Sequence, residues 1–235
     1  MSDQAKRPVE KTFEGAEAQA VALAAEIGER LQAAVAERGS ATIAVSGGKS
    51  PIRLFQLLSK QSLPWSSITI TLVDERWVLP SDDASNEKLV RDHLMVGAAA
   101  AAKLLPMKNA AATPEEGTAE LNAALAKLSL PIDVVVLGMG DDGHTASLFP
   151  HAPGLDHALK TKELCAGVRP QTAPHPRITL TLSALQASRW LVLPLQGDAK
   201  LHTYRTALEA GPIEDMPVRS LLRQVSAPIE VWIAN

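Results

Sequence analysis

Short apolar runs alternate with helical patterns along this chain, and no other feature limits its fold as strongly. Mostly apolar and β-branched residues make up three of these runs, Ala41 to Val45, Ile68 to Val73 and Ile132 to Leu137. This composition is typical of strands buried on both faces. Residues 14–37 carry apolar side chains at three- and four-residue spacing, which predicts an amphipathic helix. This alternation predicts an α/β protein with a mostly parallel sheet and helices on both of its faces.

The rest of the chain continues the same alternation. Later strands are predicted at 164–168, 177–182, 189–195 and 228–234, and a further helix at 198–209. Short polar side chains at helix starts predict four capping residues, which are Ser50, Ser85, Thr113 and Asp198. Because no internal repeat is visible, we expect one α/β domain over residues 1–235, with the Pro- and His-rich stretch 150–176 as a candidate excursion from the sheet.

Overall charge and cysteine content exclude several functional classes. The net charge of -3 arises from 23 basic and 26 acidic side chains, so the chain lacks the positive field that attracts nucleic acid. Cys165 is the only cysteine, which excludes an internal disulfide and favours a reducing compartment. The N-terminal residues lack an apolar signal core, and Leu94 to Ala102 is too short to span a bilayer. We therefore expect a cytoplasmic protein that binds no nucleic acid and no membrane.

A glycine-rich turn joins the strand at 41–45 to the helix that follows, and it consists of Ser46, Gly47, Gly48, Lys49 and Ser50. The two glycines let the backbone approach an anion closely, and the helix start adds free N–H groups and a positive dipole end. Phosphate is therefore the predicted ligand. The structural alternative is a turn that only reverses the direction of the chain.

Two nucleotide-binding motifs are matched in part, and both are rejected. Gly48 and the two residues after it resemble the end of a P-loop, but that motif requires glycine where Ile43 stands. The glycine spacing within residues 138–143 matches the dinucleotide fingerprint in letters. Its variable positions are Asp141 and Asp142, however, and two carboxylates would repel a pyrophosphate.

Asp142, Gly143 and His144 follow the strand at 132–137 and carry the strongest catalytic signal. Histidine can move protons near neutral pH, and a neighbouring carboxylate can fix its tautomer. Gly143 would let the chain turn so that the imidazole points into the crevice beyond the sheet. The alternative is that His144 caps a short helix over residues 145–148. No two histidines have metal-ligand spacing with a supporting carboxylate, so no metal site is predicted.

Charged residues near other strand ends extend the predicted pocket. Arg76 is predicted to bind phosphate or a developing oxyanion, and Asp74 to bind a sugar hydroxyl, with a surface salt bridge as the alternative. Lys200 falls in the first turn of a predicted helix, where a positive charge is unfavourable unless it meets an anion. Arg177 is a second candidate for phosphate, with a structural role as the alternative. The loops expected to converge on one pocket beyond the sheet are 46–50, 74–76 and 138–144.

Five motifs, in this order and spacing, resemble those of the 6-phosphogluconolactonase family: SGGKSP, DERWV with a following SNEKLV, GMGDDGHTASLFP, HPRITLT and GDAK. The resemblance extends over roughly positions 40–235. It implies a three-layer α/β/α sandwich with a modified Rossmann-like sheet. It also implies a cytosolic enzyme of the oxidative pentose phosphate pathway, a monomer or homodimer, that hydrolyses 6-phospho-D-glucono-1,5-lactone to 6-phospho-D-gluconate without a metal or organic cofactor.

The same resemblance implies roles for particular residues. His144 would be the general base that activates water, with Asp142 and Asp74 near it and the sugar. The residues implied around the phosphate are Ser46, Gly47, Gly48, Arg76 and Lys200. Two alternatives stay open, namely a glucosamine-6-phosphate deaminase of the same superfamily and a sugar-phosphate sensor domain that binds without reacting. The GDDGHTASLFP block favours the lactonase, and the first 40 residues contain no helix-turn-helix of the kind that such sensors usually carry.

Overall fold

The computed structural model describes residues 7–224 and 229–234, in which ten strands form two sheets. The strands are β1 (Val9–Phe13), β2 (Ala41–Val45), β3 (Ile68–Leu72), β4 (Asp74–Arg76), β5 (Lys103–Leu104), β6 (Val134–Val136), β7 (Cys165–Val168), β8 (Arg177–Leu180), β9 (Leu191–Gln196) and β10 (Glu230–Ala234). Seven of them form a central sheet in the order β1-β10-β9-β6-β2-β3-β5, and all of its strand pairs are parallel. The predicted mostly parallel sheet is confirmed.

Helices cover this sheet and complete a three-layer α/β/α sandwich, as the resemblance implies. In chain order they are α1 (Ala16–Arg38), α2 (Ile52–Leu58), α3 (Asn86–His93), α4 (Pro114–Leu125), α5 (Leu155–Lys160), α6 (Leu182–Gln186), α7 (Asp198–Leu208) and α8 (Arg219–Leu222). Helix α1 packs against α2 and against strands β2 and β10. All five residues of β2 are buried, because a central parallel strand is covered on both faces.

Two of the four predicted caps are confirmed. The side chain of Ser85 accepts a hydrogen bond from the N–H of Lys88, and that of Thr113 accepts one from the N–H of Glu116. Each bond satisfies an N–H group that has no partner within the first turn of its helix. These caps fix the starts of α3 and α4.

The other two caps are wrong, and one alternative for His144 is excluded. Helix α2 starts at Ile52, so Pro51 stands at the cap position and Ser50 lies before it. Asp198 is the first residue of α7, because Gly197, with a φ of +84°, makes the turn ahead of the helix. His144 precedes no helix, because residues 145–149 form turns and isolated bridges.

A second, smaller sheet was not predicted. Strands β4, β8 and β7 pair antiparallel, and β4 is therefore not the end of β3. The chain leaves the central sheet at Val73, whose N–H donates to Val45 and whose carbonyl accepts from the N–H of Leu180. One residue thus connects both sheets and directs Asp74 to Arg76 away from the central sheet. The stretch 150–176 supplies α5 and β7 to this part of the structure.

Strand β1 was also missed, because its polar residues give no apolar run. It lies at the edge of the central sheet, where three of its five residues are exposed. The strand predicted at 228–234 begins at Glu230, and positions 225–228 lie outside the described residues. None of the helices in the described part of the chain combines the length and the apolar character needed to cross a membrane.

Candidate functional site

A cavity of about 440 Å³ lies beyond the carboxyl ends of β2, β6 and β9. The loops after β2 and β6, the end of β9 and the first turn of α7 contribute to its wall, and β4 and β8 of the smaller sheet form another side. Of the residues singled out from the sequence, those that line it are Ser46, Gly47, Gly48, Ser50, Asp74, Arg76, His144, Arg177 and Lys200. The three loops expected to converge therefore border one space.

Two of the predicted site residues stand outside this lining. The side chain of Lys49 is exposed and does not line the cavity, and it follows Gly48, whose φ of +92° turns the chain there. Asp142 borders His144 rather than the cavity itself. The structure therefore separates Lys49 from the cluster and leaves Asp142 in contact with it through the imidazole.

The start of the glycine-rich turn is fixed to its neighbours. The N–H and the hydroxyl of Ser46 both donate to the carbonyl of Val136, at 3.0 and 3.1 Å. On the other side, a Cβ atom at Gly47 would lie 1.8 Å from Oδ1 of Asn86, so a side chain fits at position 47 only if Asn86 moves. The Asn86 side chain also donates to the carbonyl of Asp74 at 2.9 Å. Asn86 therefore links the turn to the start of β4.

Two arginines meet at the side of the cavity formed by the smaller sheet. Arg76 and Arg177 are direct cross-strand partners in the β4–β8 pair. Arg76 donates to the carbonyl of Ala84 and Arg177 to that of Pro174, but their buried Nε atoms have no partner within residues 7–224 and 229–234. Like charges placed opposite each other destabilise a sheet, so the pair favours an anion in the cavity.

The acidic residues near the two arginines do not form ion pairs with them. Glu75 is buried and accepts hydrogen bonds from Ser85 and from the N–H groups of Arg76, Asn86 and Glu87. Burial raises the pKa of Glu75 despite these four bonds. Burial, followed by the charge of Arg76, lowers the pKa of Arg177, although Asp74 and Glu75 oppose the shift. An arginine stays protonated even so, and positive charge therefore faces the cavity.

Asp74 is buried at the cavity wall. Its Oδ2 atom accepts a hydrogen bond from the hydroxyl of Ser147. The other oxygen, Oδ1, has no hydrogen-bond partner among the described residues and is available to a ligand. Ser147 lies on the turn after His144, so Asp74 is tied to the chain that carries the imidazole.

His144 and Asp142 form a hydrogen-bonded pair. The Nδ1 atom of the imidazole lies 2.6 Å from Oδ1 of Asp142, which also accepts the N–H of His144 at 3.0 Å. Burial would raise the pKa of Asp142, but these hydrogen bonds and the nearby imidazole lower it overall. An ionised carboxylate must accept, so the proton sits on Nδ1. Nε2, which has no partner in the described chain, then presents a lone pair.

The local backbone explains how His144 reaches this position. Gly143 has a φ of +77°, which side-chain-bearing residues rarely adopt, and it turns the chain back so that the carbonyl of His144 accepts from the N–H of Gly140. A Cβ atom at Gly140 would lie 2.1 Å from Nδ1 of His144. The absence of a side chain there makes room for the imidazole.

Lys200 occupies the first turn of α7, as predicted, and points toward the loop after β6. Its Nζ atom lies 2.7 Å from Oδ1 of Asp141. The carbonyl of Asp141 accepts a hydrogen bond from the hydroxyl of Thr203, one turn further along α7. Lys200 is therefore paired with a carboxylate of the protein itself.

Several residues of the site were not predicted from the sequence. Phe149, Asn86 and Gln19 line the cavity, and Ser147 contacts Asp74. Phe149 and Asn86 stand within motifs that were recognised, but nothing in their spacing indicated contact with His144 or Gly47. Gln19 lies on the apolar face of α1, where its buried side chain donates to the carbonyls of Leu195 and Trp232. Within the described residues, no group of three His, Cys, Asp or Glu side chains is arranged to hold a metal ion.

Comparison with known proteins finds similarity over most of the chain. A sequence model of the family described as glucosamine-6-phosphate isomerases/6-phosphogluconolactonase matches residues 14–229. A 6-phosphogluconolactonase of Rhizobium meliloti is 44% identical over 94% of this chain and 97% of its own, and one of Pseudomonas aeruginosa is 46% identical over 91% and 89%. The crystal structure of a 6-phosphogluconolactonase from Shewanella baltica has a TM-score of 0.96 at 46% identity and covers 99% of this chain and 100% of that chain.

Proposed function

Since this chain belongs to the glucosamine-6-phosphate isomerase/6-phosphogluconolactonase family, we propose that it is an enzyme that hydrolyses 6-phospho-D-glucono-1,5-lactone to 6-phospho-D-gluconate. The observation that carries this proposal is the His144–Asp142 pair on a cavity that also contains Arg76 and Arg177. One part of the cavity suits an anion and another suits proton transfer. Hydrolysis of a phosphorylated lactone requires both.

The phosphate of the substrate would lie against the two arginines. A dianion there neutralises the repulsion between the charges of Arg76 and Arg177, whose side chains both line the cavity. Lys200 would exchange its bond with Asp141 for one with the phosphate. The turn from Ser46 to Gly48 and the hydroxyl of Ser50 border the same cavity, and glycine lets the backbone approach the ligand closely.

His144 would act as the general base. Asp142 holds the proton on Nδ1, so the Nε2 lone pair can take a proton from water as its oxygen attacks C1 of the lactone. The bond between C1 and the ring oxygen then breaks, and the imidazolium returns the proton to the departing oxygen. The carboxylic acid formed at C1 releases its proton to solvent. A lactone is an activated ester, so no covalent intermediate is required.

Asp74 would orient the sugar. Its Oδ1 atom is available while Ser147 holds Oδ2, so it can accept a hydrogen bond from a hydroxyl of the lactone ring. Asn86 fixes the backbone carbonyl of the same residue. The carboxylate is thereby held in place before the substrate arrives, which reduces the entropy cost of binding in a reactive orientation.

The test is a rate measurement on freshly prepared 6-phosphogluconolactone, with spontaneous hydrolysis subtracted. We expect His144→Ala to lower kcat by about 10²- to 10⁴-fold, the usual contribution of general acid–base catalysis. Affinity for 6-phosphogluconate should change little. His93→Ala, on α3 and outside the cavity lining, is the matched control and should keep full activity. Near-normal turnover by a folded His144→Ala variant would remove this residue from the mechanism.

A parallel assay separates the lactonase from the other activity in the family description. We expect no ammonia release from glucosamine-6-phosphate at a rate comparable with lactone hydrolysis. Efficient ammonia release would overturn the proposal. From the lactonase activity we infer that the enzyme acts in the oxidative pentose phosphate pathway, in the cytoplasm.

A further inference from the structure

Phe149 contacts both functional parts of the cavity. Its ring is buried and stacked on the imidazole of His144, with 4.1 Å between the ring centroids and 24° between the planes. The guanidinium carbon of Arg177 lies 5.8 Å from the centroid of the same phenyl ring. The proposed base and one of the proposed phosphate ligands thus rest on one side chain.

The imidazole of His144 needs a second restraint besides Asp142. The Cβ–Cγ bond and the hydrogen bond at Nδ1 hold one edge of the ring, but neither contacts its faces. A tilt of the ring plane would move Nε2, on the opposite edge, away from the attacking water. A stacked aromatic face removes this freedom, because the two ring planes must stay nearly parallel to keep their contact.

Phe149 belongs to the buried core, but filling that space does not by itself require an aromatic residue. A leucine would also exclude water, but it would offer neither a flat face to His144 nor a π-system to the cation of Arg177.

We propose that Phe149 is a positioning residue that sets the plane of the His144 imidazole and thereby aims Nε2 at the attacking water. The proposal rests on the proposed function, in which His144 is the general base. It assigns Phe149 no contact with the reacting atoms. Loss of Phe149 should therefore lower kcat, because a misdirected base slows the chemical step while the phosphate contacts still bind the substrate.

Phe149→Leu and Phe149→Tyr test this with the full-length enzyme. We expect the leucine variant to lose on the order of 10²-fold in kcat, with KM and the affinity for 6-phosphogluconate within threefold of wild type. The tyrosine variant keeps the ring face and should retain most of kcat. Phe13→Leu is the matched control, because Phe13 stacks on Trp232 at 5.0 Å, away from the cavity lining, and its loss should leave kcat unchanged.

A double-mutant cycle with His144→Ala shows whether Phe149 acts through the imidazole. In the His144→Ala background, Phe149→Leu should have no further effect on the residual rate. An equal loss in both backgrounds, or a leucine variant with normal kcat, would overturn the proposal. Equal losses for leucine and tyrosine with a matching fall in Tm would do the same, because they would indicate a role in core packing.

A spectroscopic measurement keeps this test separate from the proposed function. The ring current of Phe149 should shift the Hε1 proton of His144, assigned by its absence from the His144→Ala spectrum. The shift should vanish in Phe149→Leu and persist in Phe149→Tyr. A protein that gives these spectra but does not hydrolyse the lactone would contradict the proposed function alone. An unchanged His144 signal in Phe149→Leu would contradict the positioning role alone.

Discussion

Arg76 and Arg177 stand directly opposite each other on neighbouring antiparallel strands, and each has a buried Nε atom without a hydrogen-bond partner in the described chain. Two like charges in this arrangement cost free energy, on the order of the 0.2–1 kcal/mol that cross-strand pairs contribute. The ligand-free protein is therefore less stable at this point than it would be with one of the charges removed. With phosphate bound, the two arginines should instead stabilise the protein, because both attract the anion.

Arg177→Met should accordingly weaken the enzyme without weakening its fold. A hydrogen bond to a charged group contributes about 1.5–3 kcal/mol, so kcat/KM for the phosphorylated lactone should fall roughly 10- to 100-fold. The Tm of the ligand-free protein should stay the same or rise, and inorganic phosphate should stabilise the variant less than wild type. Steady-state kinetics and thermal unfolding check both parts. A lower Tm with unchanged kcat/KM would mean that Arg177 is structural.

Lys200→Ala should affect only the phosphorylated substrate. The wild-type enzyme should have a kcat/KM for plain gluconolactone on the order of 10²-fold lower than for the phosphorylated lactone, because remote binding energy also orients the reacting centre. The variant should reproduce part of that loss on the phosphorylated lactone and react with the plain lactone as wild type does. Lys49→Ala is the control, because Lys49 is exposed outside the cavity lining. Equal losses on both lactones would exclude Lys200 as a phosphate ligand.

Gly47→Ala should displace the turn that follows β2. Its added methyl would overlap Oδ1 of Asn86, and such overpacking costs typically 1–3 kcal/mol. We expect a lower Tm and a higher KM for the phosphorylated lactone. The double variant Gly47→Ala/Asn86→Ala removes the overlap and should recover part of the lost stability. No recovery of Tm in the double variant would show that another contact excludes a side chain at position 47.

Asp142→Asn should remove the carboxylate that holds the proton on Nδ1 of His144. An amide can donate to Nδ1 and favour the wrong tautomer, so kcat should fall by on the order of 10²- to 10⁴-fold with the variant still folded. A loss below tenfold in kcat would show that the tautomer does not depend on this pair.

The same variant has a pH signature in stability. The pKa of Asp142 is lowered from 3.8 in the folded chain, so its contribution is complete above that pH and is lost as the pH falls through the folded-state pKa. The difference in unfolding free energy between wild type and Asp142→Asn should therefore shrink in strong acid. It should stay below about 1 kcal/mol at neutral pH, because the carboxylate is partly exposed to solvent. Denaturant unfolding at several pH values measures the difference, and a gap that widens in acid would contradict the sign.

Lactone hydrolysis should survive exhaustive treatment with EDTA. The proposed steps use only His144, water and the charges of the protein. Rates before and after chelation, with zinc or magnesium added back, provide the measurement. Activity that is lost with EDTA and restored by either metal would refute the cofactor-free mechanism.

Local sequence patterns predicted the parts of this molecule that depend on local chemistry. The central strands were found because burial on both faces requires a continuous apolar run, as in β2. The contact between His144 and Asp142 was predicted correctly because the two residues are separated only by Gly143, which turns the chain. Strand β1 was missed because an edge strand with exposed polar residues has neither pattern. Its existence depends on β10, far along the chain.

The rest of the site depends on long-range register, which residue spacing does not encode. Nothing near Val73 indicates that the chain changes sheets there, so the sequence predicts a loop at 74–76 where the structure has a strand of the smaller sheet. The position of Arg76 opposite Arg177 follows only from the antiparallel pairing of β4 with β8. The contact of Asn86 with Gly47 likewise depends on how α3 packs beside the turn.

The edge of the central sheet has a consequence for synthesis on the ribosome. Among the described residues, β1 is the first strand in chain order, and β10, the one strand with which it pairs there, follows more than 200 residues later. At about 5–20 residues per second, β1 waits for roughly 10–40 s with one side open and Phe13 without Trp232 to stack on. During that interval its charged and polar side chains discourage pairing with other nascent chains. The polar residues of β1, which give no apolar pattern in the sequence, thus protect the growing chain from aggregation.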